Sequence, residues 1–447
     1  MPDYKTSPSA STALPPGIPF IVANEAAERF SYYGMRAILI VFMTQYLMNS
    51  SGQLDVMTEH EAQGYFHLFV SVSYFMPLLG ALLSDGIWGK FRTIVLLSMV
   101  YCLGHFALAI DDTRTGLLVG QGLIALGAGG IKPCVSSHVG DQFGQSNSHL
   151  LGKVFSWFYF SINLGAFMAM LIIPWLLADY GSSTAFAVPG ILMLLATTVF
   201  WSGRYRFVHI PAAGIGFLKD MFSHIGLTTI GRLGSIYLFI AMFWALFEQT
   251  GSSWVLQAQK MDRNIFGYEL LPSQIQAANP LLIMVLAPLF SYMIYPFVGR
   301  FLILTSLRKM IIGLFLTAIA FVIPSLVQMQ LDNGVMPHIG WQLLAYLLLT
   351  SAEVMVSITC LEFSYTQAPK TMKSFVMAFF YLSVAVGNLF TSAVNFFILN
   401  KDGTSKLEGA SYFWFFTGLM LMTALLFLLA SKGYKERFYL QDEQISQ

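Results

Sequence analysis

Twelve long apolar runs, separated by short polar connections, make up most of this chain. They lie near residues 20–47, 60–86, 92–111, 115–138, 149–178, 185–203, 234–257, 274–297, 308–328, 339–366, 372–399 and 410–431. Each is about 20 residues or longer, the length at which an α-helix crosses the hydrocarbon core of a bilayer. Unpaired backbone groups are too costly in lipid for anything but helices or a closed barrel to span it. The pattern therefore predicts an all-α membrane protein with about twelve transmembrane helices. An even number of crossings puts both termini on one side. Sixteen Lys and Arg residues, from Lys5 to Arg437, fall in the tails and loops on that side. Only Arg114, Lys260, Arg263, Lys401 and Lys406 fall on the other, and Arg29, Arg36 and Lys132 lie inside spans. Basic residues concentrate in cytoplasmic loops, so both termini are expected in the cytoplasm.

The longest connection, 204–233, divides the spans six and six. Ile215, Leu218, Phe222 and Ile225 form an apolar stripe there, which predicts a helix lying on the inner membrane surface. The expected organisation is a cytoplasmic tail (1–19), a six-helix bundle (20–203), a cytoplasmic linker (204–233), a second six-helix bundle (234–431) and a second tail (432–447). Six plus six matches the major facilitator architecture, in which the substrate site lies between the halves at mid-membrane.

Composition narrows the function. Hydrophobic residues are 56% of the chain and charged residues 11%, against about 25% charged in soluble domains. The net charge of +1 gives no reason to expect a nucleic-acid partner. Cys102, Cys134 and Cys360 all sit in apolar stretches without paired spacing, so neither a disulfide nor a metal site is expected. The N-terminal tail is polar, contains Pro15 and Pro16, and has no basic region or cleavage site; the first span is expected to act as an uncleaved insertion signal. No HExxH or GxSxG pattern appears, which argues against a membrane enzyme.

The chemistry lies in charges at membrane depth, each costing about 2.5–3.5 kcal/mol at the centre of a span. The first span carries Glu25, Glu28, Arg29 and Arg36. With Tyr32 and Tyr33 they fall within an arc of about 140° on a regular helix, one polar stripe on an apolar cylinder. Such a stripe must face a protein interior or a watery cavity. An internal ladder, with Glu25 and Arg29 paired four residues apart, is the purely structural alternative. Lys132 on the fourth span, Glu248 on the seventh, and Glu353 and Glu362 on the tenth are also at depth. Glu353 and Glu362 are nine residues apart, about 180° around a helix, so they cannot both face one cavity. Glu362, followed by aromatic residues and Tyr365, is taken as the cavity residue, and Glu353 as the maker of a local structural hydrogen bond. His67 and Tyr74 share a face of the second span, seven residues apart.

Several of these residues sit in recognisable motifs. Glu25-Ala-Ala-Glu28-Arg29-Phe30-Ser31-Tyr32-Tyr33-Gly34 resembles the ExxERFxYYG motif of the proton-dependent oligopeptide transporters. Phe155-Ser-Trp-Phe158-Tyr159-Phe160-Ser161-Ile162-Asn163-Leu164-Gly165 resembles that family's second signature. Gly80-Ala-Leu-Leu-Ser-Asp85-Gly-Ile-Trp-Gly89-Lys90 resembles the major facilitator loop between spans two and three. Gly130-Ile-Lys132-Pro133, the run from Ala245 through Glu248 to Trp254, Asn279-Pro280, and the run from Leu361 through Glu362 to Pro369 match as well. Two departures stand out. There is no room for the two extra helices that many bacterial members carry between the halves, and Phe380 stands where many relatives have tryptophan.

The resemblance implies a proton-coupled symporter importing di- and tripeptides, with protons as the only coupling species and no cofactor. Short peptides share an ammonium, a carboxylate and amide bonds, so a promiscuous carrier must grip the ends. Arg29 and Lys132 are expected at the carboxylate, Glu362 with Asn279 at the ammonium, and Asn163 at the peptide amide. Tyr32, Tyr33, Tyr74, Trp254 and Phe380 are expected to line side-chain pockets, with Trp254 as an interfacial anchor the alternative. Glu25, Glu28, Arg36, His67 and Glu248 are expected in proton coupling and gating. Arg36 lies about 10 Å outward of Arg29 along the helix, so an Arg36–Glu248 pair is expected to latch the outer gate until Glu248 takes a proton. The alternative within transport is a relative carrying nitrate, another small anion or a drug-like solute. A monomer in a bacterial inner membrane is expected.

Overall fold

A computed structural model of the chain describes residues 4–212, 214, 223–367, 373–400 and 404–434. The stripe residues Ile215, Leu218 and Phe222 and the side chain of Ile225 lie outside the described residues. Ten helical stretches are long and apolar enough to cross a membrane. The first helix, α1 (Ile18–Val41), which carries four charges, is not among the ten. One of the ten is two crossings in one: the helix Leu151–Ser202 is interrupted at Gly181, where φ is +82°, a conformation that side chains disfavour. Its arms, 151–180 and 182–202, are α5 and α6. The result is twelve crossings, as the hydrophobic pattern predicts.

The other crossings are α2 (Glu59–Leu83), α3 (Lys90–Ile110), α4 (Arg114–Asp141), α7 (His224–Phe247), α8 (Ala278–Leu289), α9 (Ser306–Asp332), α10 (Gly340–Glu353, continued by a π turn Val354–Ile358 and the helix Thr359–Gln367), α11 (Lys373–Ile398) and α12 (Ala410–Ser431). Threonine and serine caps set several starts. Thr58, Thr113, Ser223 and Thr305 each accept a hydrogen bond from a first-turn amide. The Ser223 cap starts α7 ten residues before the expected 234. Thr228, Thr229, Gly231 and Arg232 in that stretch are too polar for hydropathy to reveal a helix.

The described helices form two bundles, each with its own core. One gathers Ile38, Phe42, Phe66, Tyr101, Ile124 and Phe186 from α1–α6; the other gathers Phe243, Trp254, Phe321, Tyr346, Phe363 and Phe416 from the later helices and their connections. Glycines bring α2 and α4 into backbone contact: a Cβ on Gly80 would stand 1.9 Å from the Gly130 carbonyl oxygen. We call the end bearing both termini the terminal end and the opposite end distal.

Candidate functional site

The halves meet from mid-depth to the distal end. Four side chains there donate to helix carbonyls of the opposite half. Ser71 reaches Ala385 at 2.8 Å and Ser392 reaches Gly64 at 2.8 Å; Gln274 reaches Leu171 at 2.9 Å and Gln276 reaches Ala37 at 3.0 Å. His67 on α2 bridges to Asn388 on α11 at 2.7 Å and to Ser252, just past α7, at 2.9 Å. Asn388 spends its amide on the Val384 carbonyl, so its oxygen faces Nδ1 of His67. The network assigns the imidazole a proton on Nδ1 and leaves Nε2 to accept from the Ser252 hydroxyl. Arg36 on α1 forms an ion pair and hydrogen bond with Glu248 at the end of α7, both side chains almost wholly buried. The pair expected from sequence thus joins the two halves.

Just below this pair lies a cavity of about 120 Å³. Its N-terminal wall includes Tyr33, Arg36, Tyr74 and Asn163, and its C-terminal wall Trp244, Glu248, Asn279 and Glu353. Tyr33, at the edge of the α1 stripe, thus reaches the cavity.

Glu353, not Glu362, is the carboxylate here. Asn279 donates to Glu353 at 2.7 Å and to the Thr350 hydroxyl at 3.1 Å. Glu362 is exposed, closer to the terminal end. The expectation that Glu362 faces the cavity does not hold for this cavity, which Glu353 lines. Depth was the unused signal: Glu353 sits mid-way along 339–366, where a charge is most costly, and Glu362 near its end. Trp244 was also missed, although it lies four residues before Glu248 and so shares its helix face.

Trp254 departs from both expectations. It is fully buried inside the C-terminal bundle, its ring 5.0 Å from Tyr346 and 5.5 Å from Phe321, so it is neither a cavity wall nor an interfacial anchor. Ser252, at φ −129° and ψ −91°, interrupts the helix between Glu248 and Trp254. Phe380 stands behind the cavity, packed edge-on to Trp244.

The remaining charges form a second cluster beside the cavity, inside the N-terminal bundle. Arg29 donates to Glu25 at 2.7 Å and lies 3.1 Å from Glu28, so the ladder weighed as the structural alternative is present. Neither oxygen of Glu28 receives a well-aligned hydrogen bond. The Lys132 ammonium has no hydrogen-bond acceptor; it rests over the rings of Tyr32 and Tyr74 at 4.3 and 3.9 Å. A buried cation held only by aromatic faces is prepared to meet an anion. Among the described residues no group of His, Cys, Asp or Glu is placed to hold a metal.

A model described as the POT family, PTR2, matches residues 91–234 and 226–415, which include Lys132, Asn163, Asn279 and Glu353. The chain belongs to the POT family. Among similar POT proteins, Peptide transporter family 1 of Drosophila melanogaster is 37% identical over 72% of this chain and 48% of its own length. Solute carrier family 15 member 2 of Homo sapiens is 35% identical over 79% of this chain and 55% of its own. The chain thus spans about half the length of these relatives. Among solved structures, the POT family transporter PepTSo superposes with a TM-score of 0.85 at 35% identity, covering 94% of this chain and 99% of that one. A peptide transporter POT in complex with alafosfalin gives 0.79 at 28% identity, covering 94% of each chain. The POT membership fixes the protein as a multi-pass membrane protein with the major facilitator fold.

Proposed function

We propose that the chain is a proton-coupled symporter that imports di- and tripeptides by alternating access. One observation carries this reading. A half-buried carboxylate from the C-terminal half, Glu353 oriented by Asn279, faces a cavity whose other wall carries Arg36 and Tyr74, with Lys132, which has no hydrogen-bond acceptor, over the Tyr74 ring. A zwitterion with its charges a peptide length apart fits that polarity. Its ammonium takes Glu353 and Asn279, its carboxylate takes Lys132 and Arg29, and Asn163 takes an amide. Gripping one end from each half favours the closed state, because the ligand then draws the halves together. A nitrate or small-anion carrier would have no use for Glu353. The peptide-transporter names of the relatives support the same class of cargo.

At about 120 Å³ the present cavity is small for a peptide, so loading requires the halves to separate. Arg36 and Glu248 join them, and protonation of Glu248 would remove the charge that holds Arg36. A peptide carboxylate arriving at Arg29 and Lys132 would in turn displace their carboxylates, leaving Glu28 to take up a proton. Entry of one proton supplies about 2.3 kcal/mol per 100 mV. With 1.36 kcal/mol for each factor of ten, this supports roughly 50-fold accumulation. The basic-residue excess supports termini in the cytoplasm, which makes the distal end external. We assign a monomer in a bacterial inner membrane.

The test is uptake of labelled dialanine into proteoliposomes under an inward proton gradient and membrane potential. Uphill uptake that collapses with a protonophore and in Glu353→Gln is expected. No uptake beside an active reference transporter would reject the peptide reading and turn attention to anions and drug-like solutes.

A further inference from the structure

A second cavity, of about 560 Å³, opens at the terminal end of the N-terminal bundle, far from the site between the halves. Its floor is polar. The N-cap Gly89 and the first-turn residues Lys90, Phe91 and Arg92 of α3 line it, and no side chain caps that 21-residue helix. The first-turn amides find no acceptor among the described residues, so the positive end of the helix dipole faces the cavity. His138 of α4 supplies an independent sign of a missing ligand. It lines the same cavity, is 1% exposed, and its Nε2 has no hydrogen-bond partner. Lys90 is already paired with Asp141 at 2.7 Å, whereas Arg92 is exposed with no ion-pair partner among the described residues. The rim is apolar: Ile87, Trp88 and Ile210 line it and are 56%, 39% and 40% exposed.

We propose that this cavity binds the phosphate of an anionic amphiphile. The helix amides and the His138 ring supply donors with fixed positions, and the Arg92 guanidinium supplies a mobile fork that matches phosphate oxygens. The exposed apolar rim accepts the first segments of acyl chains that continue into the bilayer. A soluble phosphate ester would share the floor but not the rim. The proposal does not depend on what the central cavity carries.

The experiment is native mass spectrometry of the full chain released from micelles holding equal phosphatidylglycerol and phosphatidylcholine. Wild type is expected to retain phosphatidylglycerol about tenfold over phosphatidylcholine, the scale of one charge-assisted contact. Arg92→Glu should abolish that preference. Arg308→Glu, an exposed basic position at the terminal end of the other half, should keep it. Both exposed variants are checked for folding by their melting curves, and His138→Leu should lower retention by an independent route. Excess inorganic phosphate that leaves the lipid bound assigns the site to lipid; phosphate that displaces it assigns the same chemistry to a soluble ligand. Equal retention of the two lipids by wild type, or an equal loss in Arg308→Glu, would overturn the proposal.

Discussion

Arg29 and Arg36 lie on one stripe of one helix, two turns apart, and do different work. Arg29 is neutralised within its own helix, by Glu25 at 2.7 Å and Glu28 at 3.1 Å. Arg36 has its carboxylate on the other half of the molecule. Rigid motion of the halves leaves the first cluster intact and must break the second. Only Arg36 can therefore report the gate through its partner. Arg29 can respond only to something that enters the cavity and competes with its own carboxylates. The same residue type is thus held within one half or between the halves by the address of its counter-ion.

The sharpest way to break this comparison is Glu248→Ala, which leaves Arg36 buried and alone. A loss of about 3–5 kcal/mol in unfolding free energy is expected in a detergent denaturation series. Proton-driven accumulation should fall from about 50-fold to none, while counterflow exchange of peptide persists. Intact uphill uptake would sink the latch. Next in size is Glu353→Gln, which should raise the KM for dialanine at least about tenfold, as expected for losing one charged contact of about 1.5–3 kcal/mol. Glu362→Gln should stay within about twofold, and the reverse order would return the ammonium site to Glu362. Glu25→Ala comes third. Arg29 keeps Glu28, so the same denaturation series should show about 1–2 kcal/mol, well short of the Glu248 variant; an equal loss would erase the distinction between the two arginines. The smallest effect belongs to the exposed cross-half pair of Lys260 and Glu59, 2.8 Å apart. Glu59→Gln should change stability by at most about 1 kcal/mol, and added salt should remove even that.

Much of this was legible because lipid imposes strong rules. Length and hydropathy alone give the twelve crossings, and the energetic cost of a buried charge singles out the α1 stripe, Lys132 and Glu248. Helical geometry even gives the Arg36–Glu248 partnership across 212 positions. What escaped depends on local backbone irregularity and on depth. The break at Ser252 turns Trp254 into the C-terminal core, and the polar first turns of α7 hide their helix from hydropathy. Glu353 and Glu362 differ in depth, and the aromatic neighbours of Glu362 outweighed that difference, whereas Glu353 lines the present cavity. The bond from Asn279 to Glu353 joins positions 74 residues apart, and no pattern within α10 could reveal it.

The four side chains that reach carbonyls across the interface have a consequence for reversibility. Ala385, Gly64, Leu171 and Ala37 all lie within helices, where a carbonyl oxygen already serves its own ladder and offers the visitor a second lone pair. When the halves part, no main-chain acceptor is orphaned. The serines can turn back to carbonyls of their own helices, and the glutamines can turn to entering water. Such a seam resembles a zip more than a weld: it closes in register, yet its teeth separate without damage to the fabric on either side, and that is what repeated cycling demands of it.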